Sequence, residues 1–201
     1  MTSDSRIEIR LPAWVAREVE QVERLAGFAS PEQRMDLVIR LAESNARRGS
    51  GGPFAAAVFG LEDRALIAVG VNLVLASGYS VAHAEVVALS LAQQAAGGFD
   101  LGAGLAAREL VTSSEPCAMC LGAICWSGVR QIVCGARGED AVQIGFDEGP
   151  KPADWVSELQ RRGIAVTRDV MRERAAQVLR SYRDSAGPIY NACAGMRSTR
   201  G

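Results

Sequence analysis

Four residues of this 201-residue chain have the types and spacing to do chemistry together: His83, Glu85, Cys117 and Cys120. The single histidine stands two positions before an acid, in His83-Ala84-Glu85, and the two cysteines stand three apart in Pro116-Cys117-Ala118-Met119-Cys120. On a helix, that cysteine spacing puts both sulfurs on one face, about one turn apart. His83 lies at the start of the preceding helical run. If the two helix N-termini meet, an imidazole and two thiols converge, and both helix dipoles favour the thiolate form. One nitrogen and two sulfurs suit Zn2+ in a catalytic site, because the fourth tetrahedral position is left to water. A closed structural site would need a fourth ligand, and there is no second histidine to give one. Cys125 faces about 140° round the helix from Cys120, and Cys134 reads as a strand-core thiol.

Each piece also has a plainer reading. A lone C-x-x-C can be a redox pair, and one histidine in an Ala-rich helix is commonly a core or cap residue. Their occurrence together, in order, on two helix starts favours the metal. Glu85 then sits close enough to reach a water on the metal without being a ligand. Zinc brings the pKa of such a water to about 7, so a carboxylate can take its proton and pass it on to a leaving group. The alternative for Glu85 is a solvated helix-start acid that the dipole favours.

The elements that must position these groups follow from patterning. Ser30-Pro31-Glu32 supplies an N-cap, a first-position proline and an early acid, and apolar residues at helical spacing predict a helix over Pro31–Arg47. Phe54–Phe59 and Ala65–Val71 read as a β-hairpin. Ala82–Ala96 predicts a helix stopped by Gly97-Gly98. Glu109–Thr112 is a short buried strand, followed by a helix over Cys117–Trp126 and a strand at Gln131–Gly135. A long loop, 136–151, leads to a helix near 153–162, a strand at Ile164–Thr167 and a charged helix at Met171–Arg183. Strands alternating with helices after a hairpin imply an α/β sandwich around a mixed sheet. Residues 1–30 are ambiguous, with Leu11–Val15 able to open a short helix over the core.

Composition narrows the class. The chain is 48% hydrophobic and 22% charged, as expected of one soluble globular domain. A net charge of −1 offers phosphate backbones no general attraction. No apolar run approaches the roughly 20 residues a membrane span needs. The N-terminus shows no signal-peptide pattern, and an odd cysteine count agrees with free or metal-bound thiols, so a cytoplasmic protein is expected.

With both motifs in this order, the chain resembles the cytidine and deoxycytidylate deaminase superfamily, whose signature is H-x-E followed by P-C-x-x-C. It looks most like the bacterial guanine deaminases of that superfamily, including those that accept the triazine ammeline. The resemblance runs from about Gly51 to Ala194. It rests on Gly51-Gly52-Pro53-Phe54, His83-Ala84-Glu85, Glu115-Pro116-Cys117-Ala118-Met119-Cys120, Gly122–Gly128 and Ile144-Gly145-Phe146-Asp147-Glu148-Gly149.

The resemblance implies a three-layer αβα sandwich with a mixed five-stranded sheet. Residues 1–30 would be an N-terminal extension, 31–190 the deaminase domain and 191–201 a tail serving as a lid. One Zn2+ would be held by His83, Cys117 and Cys120, with Glu85 as proton shuttle. Phe54 and Trp126 would line the base pocket, Asn72 would hydrogen-bond the ring, and the Ala84 backbone N–H would meet a ring carbonyl. Glu148 would be a second catalytic acid that holds the purine, and Tyr190 and Asn191 would belong to the lid. The reaction implied is guanine to xanthine plus ammonia, by a homodimer. Ammeline, cytosine or a modified base is the alternative substrate. A tRNA adenosine deaminase shares the zinc motif, but should carry a basic face, against which the near-neutral charge argues. A silent zinc-binding module would not need Glu85.

Overall fold

The computed structural model describes residues 7–104 and 106–192. Its centre is a five-stranded sheet ordered β2-β1-β3-β4-β5. β1 (Ala55–Gly60) and β2 (Leu66–Val71) form the expected hairpin, with Ala55 opposite Val71. β1 pairs antiparallel with β3 (Arg108–Ser114), while β3, β4 (Gln131–Ala136) and β5 (Ala165–Thr167) run parallel. The sheet is therefore mixed, as the alternation of strands and helices implies.

Side chains alternate across each strand, so the sheet builds two cores. Ala55, Ala57 and Phe59 of β1, Val111 of β3 and Val133 of β4 face one layer. That layer holds α1 (Trp14–Ala26), α2 (Pro31–Arg47) and α8 (Arg172–Asp184). Ala56, Val58, Leu110, Ile132 and Cys134 face the other, with α4 (Ala84–Ala96), α5 (Ala118–Ser127) and α7 (Trp155–Arg161). This is a three-layer αβα sandwich.

α2 begins where its residues demand. The Ser30 hydroxyl accepts the Gln33 N–H at 3.2 Å while the Gln33 side chain accepts the Ser30 N–H at 2.8 Å, satisfying two donors that a helix start leaves free. The ambiguous N-terminal stretch becomes α1, which seats Trp14, Val15 and Val22 in the first core.

Three expectations are corrected. The helix predicted from Ala82 begins at Ala84, because His83 is extended (φ −69°, ψ 153°) and acts as its N-cap residue. Ala76–Ser80, whose composition reads as a loop, begins inside a single helical turn, α3 (Val74–Ser77). The long loop over 136–151 contains α6 (Gly138–Gln143), opened when the Asp140 carboxylate accepts the Arg137 N–H at 2.8 Å and pairs with Arg172. A pattern of apolar periodicity cannot see a helix of one or two turns held by side-chain pairing.

Among the described residues, no helix is long and apolar enough to cross a membrane. Cys193 and the rest of the tail expected to form a lid lie outside the described residues.

Candidate active site

The site lies beyond the carboxyl end of β3, where open sheets with parallel strands place ligands. The chain leaves β3 at Ser114, turns through Glu115-Pro116 and enters α5. Cys117 is the N-cap residue of α5, as His83 is of α4, so both side chains leave from helix starts. Cys120 follows three residues into α5 and is fully buried.

The donor atoms converge. His83 Nδ1 is 3.5 Å from Cys117 Sγ and 3.6 Å from Cys120 Sγ, and one atom from each residue falls within 4.8 Å of the others. Tetrahedral zinc, with bonds near 2.3 Å to sulfur and 2.0 Å to nitrogen, requires a sulfur–nitrogen separation of about 3.5 Å. The three residues therefore fit one zinc ion without rearrangement. A hydrogen bond from Cys120 and contact with His83 hold the Cys117 thiol down at about 4, against its own burial, while that same hydrogen bond and burial push the Cys120 thiol up.

Glu85 is buried beside this group, with Oε2 3.3 Å from Cys120 Sγ. Burial, reinforced by the Cys117 charge, pushes its carboxyl above the ordinary range. Next to the three donors lies a small cavity. Phe54, Asn72, His83, Glu85 and Glu148 line it, as do Phe146 and Tyr190. Burial pushes the Glu148 carboxyl up to about 8, with Lys151 opposing, and Glu148 Oε2 has no hydrogen-bond partner. A much larger groove, about 740 Å3, runs along α2 and α8 and contains none of the metal donors.

Most residues expected to meet the base thus come together. Phe54 and Phe146 pack edge to face at 5.0 Å, and Tyr190 meets Phe146 in the same way at 5.1 Å. Asn72 is buried, and its side-chain oxygen accepts the Val74 N–H at 3.3 Å. Ala84 is the first residue of α4, where helix geometry leaves the N–H without an intrahelical partner. Tyr190 arrives from the segment after α8 and stands against Gly52. A Cβ at Gly52 would lie 1.9 Å from the tyrosine hydroxyl, so only glycine lets that ring reach the cavity.

Two expected contacts stand elsewhere. Trp126 is 85% exposed and does not line the cavity of this chain. It follows Cys120 by six residues, about 120° round α5 and about 9 Å along it, so its side chain leaves on a different face. Asn191 is spent on backbone: its oxygen accepts the Asp147 N–H at 3.0 Å and its nitrogen donates to Gly145 O at 2.8 Å. It latches the segment after α8 to the loop that carries Glu148.

Other positions escape sequence reasoning. Asn45, wholly buried in α2, donates to Gly52 O at 2.9 Å and Asn72 O at 2.8 Å, joining two walls of the cavity. Glu115 accepts from Arg168 Nε at 2.6 Å and from the Gly138 N–H at 3.1 Å, bracing the turn before Cys117. For Asn45 no local pattern gives a signal. For Glu115 the signal was its place just before the Pro-Cys pair.

Comparison with known proteins agrees with this geometry. Residues 29–136 match the model of the cytidine and deoxycytidylate deaminase zinc-binding region. A guanine deaminase of Bacillus subtilis (strain 168) is 40% identical over 110 residues, covering 55% of this chain and 67% of that one. The solved structure of a guanine deaminase from Nitrosomonas europaea superposes with a TM-score of 0.83 at 46% identity, covering 92% of this chain and 100% of that one. A further structure, a variant bound to 8-azaguanine, matches with a TM-score of 0.81 at 46% identity, over 89% of this chain and 98% of that one. Three donors at zinc spacing, a buried acid beside them and a matched region that contains all four residues make this chain a member of the cytidine and deoxycytidylate deaminase family of zinc hydrolases.

Proposed function

We propose that this chain hydrolyses guanine to xanthine and ammonia, as a free base. The observation that carries the reading is the juxtaposition of a His/Cys/Cys donor set with two acids, the buried Glu85 and the half-buried Glu148, across an aromatic-walled cavity. His83 Nδ1, Cys117 Sγ and Cys120 Sγ would hold one Zn2+. When bound, the ion supplies Lewis-acid activation of water near neutral pH.

The protein's own groups do the rest. Glu85 takes the proton of the water that attacks the carbon bearing the amino group. It passes that proton to the adjacent ring nitrogen, and another to the amine as the carbon–nitrogen bond breaks. Phe54 stacks on the ring, which any base tolerates. The Asn72 amide and the Ala84 N–H meet polar ring edges. Glu148 accepts the ring N–H donors, which suits a guanine turned with its amino-bearing carbon toward the metal. Tyr190 covers the cavity, and Asn191 keeps the tail in place.

Ammonia release from zinc-loaded protein tests the reading against guanine, ammeline, cytosine, adenine, guanosine and a tRNA. Turnover of guanine with little on guanosine or tRNA is the expected result. Ammeline or cytosine turned over with guanine inert would keep the zinc chemistry and overturn the purine assignment.

The active form would be a cytoplasmic homodimer. Two observations support this: ligand thiols that need a reducing compartment, and Met119 and Trp126 exposed along α5. Light scattering should then give twice 21.3 kDa. A monomer at micromolar concentration, or a secreted chain in cell fractionation, would count against it.

A further inference from the structure

The sequence contains one lysine among its 22 basic residues, and that lysine is at the site. Lys151 is 14% exposed, and its ammonium donates to Pro116 O at 3.2 Å, one residue before Cys117. The same ammonium lies 3.6 Å from Glu115 Oε2 and 3.9 Å from Glu148 Oε2, and packs over the Trp155 ring at 5.2 Å. All three charged groups close around Gly138. A Cβ there would lie 3.0 Å from Lys151 Nζ, 3.5 Å from Glu148 Oε2 and 3.6 Å from Glu115 Oε2. The missing side chain leaves room for the knot.

We propose that Lys151 is a positioning residue for the reaction: it ties the loop bearing Glu148 to the turn bearing Cys117, and holds the Glu148 carboxylate aimed into the base pocket. The physical case is one of charge count. Glu115 is already neutralised by Arg168, whose Nε is 2.6 Å away. Glu148 has Lys151 as its only ion-pair partner among the described residues, and its Oε2 makes no hydrogen bond. Without the ammonium, no cation among the described residues would pair with Glu148, and its side chain would be free to turn away from the pocket, where it accepts ring N–H groups poorly. A lysine suits the place better than the arginine used elsewhere in the chain. A compact ammonium can serve three acceptors at different angles, whereas a planar fork matches one carboxylate.

The inference rests on the proposed role of Glu148 in holding the base, and a double-mutant cycle separates the two. Lys151→Met should lower kcat/KM for guanine about tenfold or more, mainly through KM, while zinc per chain stays at one. Lys151→Arg, which keeps the charge, should recover part of the loss. In a Glu148→Gln background, Lys151→Met should add little, within about threefold, because the group it positions is gone. A Lys151→Met effect of equal size in both backgrounds would overturn the inference, as would none in the wild-type background. If Lys151→Met does not fold, Lys151→Arg carries the test: a partial loss of kcat/KM that disappears in the Glu148→Gln background supports the inference, and a loss of equal size in both backgrounds, or none in the wild-type background, overturns it. A Glu148→Gln protein with wild-type kcat/KM would instead defeat the role of Glu148 itself.

Discussion

Glu85→Gln is expected to retain one zinc per chain and its folded stability while losing about 10²–10⁴-fold in kcat. The three metal donors are His83, Cys117 and Cys120, and Glu85 is not among them, so the ion's affinity does not depend on its charge. The fold does not depend on it either. Glu85 is buried, and Gln keeps its volume and an acceptor oxygen without bringing a charge into the core, so the fold is kept. What the amide cannot do is take a proton from water or return one to the leaving amine. Each turnover needs both, so the loss falls on kcat rather than KM. Metal analysis, thermal melting and guanine turnover on one preparation decide it. Turnover near the wild-type rate would remove Glu85 from the mechanism, and loss of zinc would recast it as a structural partner of the metal.

The metal group was legible because it is local. His-x-Glu and Cys-x-x-Cys each occupy one helix start, and a helix start fixes where its first side chains point. That both residues are N-caps rather than first-turn residues depends on backbone angles at His83 and Cys117, which no spacing reveals. The sheet was legible for a similar reason, since the unbroken apolar run Phe54–Phe59 and the β-branched residues of β3 and β4 mark strands buried on both faces. The base pocket was less so. Phe54, Asn72, Glu148 and Tyr190 come from four separate segments, and only resemblance joins them in a sequence. Trp126 shows the limit. Its motif matches the family, yet its face of α5 is set by the helical period, and in one chain that face points outward. Lys151 and Asn45 act through contacts with segments 35 and 27 residues away, and nothing near either in sequence announces the role.

Glu148→Gln is expected to lower kcat/KM for guanine about 10²-fold while leaving zinc content and the loop in place. The side chain is 15% exposed and lines the cavity, while its Oε2 lies toward the Lys151 ammonium at 3.9 Å. A purine N–H would meet the carboxylate from the cavity side. Hydrogen bonds to a charged acceptor contribute about 1.5–3 kcal/mol, which is the size of the loss predicted for two ring donors sharing one carboxylate with some of the binding retained by stacking on Phe54. The amide of Gln keeps the volume but offers only one acceptor oxygen, and turns N–H groups toward N–H groups in the other orientation. The loop does not rely on this side chain. The Glu148 carbonyl accepts the Ala118 N–H at 2.9 Å, and Asn191 holds Gly145 and Asp147, so backbone bonds keep the segment against α5. A merely structural Glu148 would therefore lose nothing on conversion to Gln. Substrate choice gives the sharper reading. A base that presents no adjacent pair of N–H donors should be indifferent to the change, so the ratio of guanine to cytosine turnover should fall with it. An unchanged ratio with both rates reduced would place Glu148 in the proton path alone, and unchanged rates would leave Glu148 without a role in this reaction.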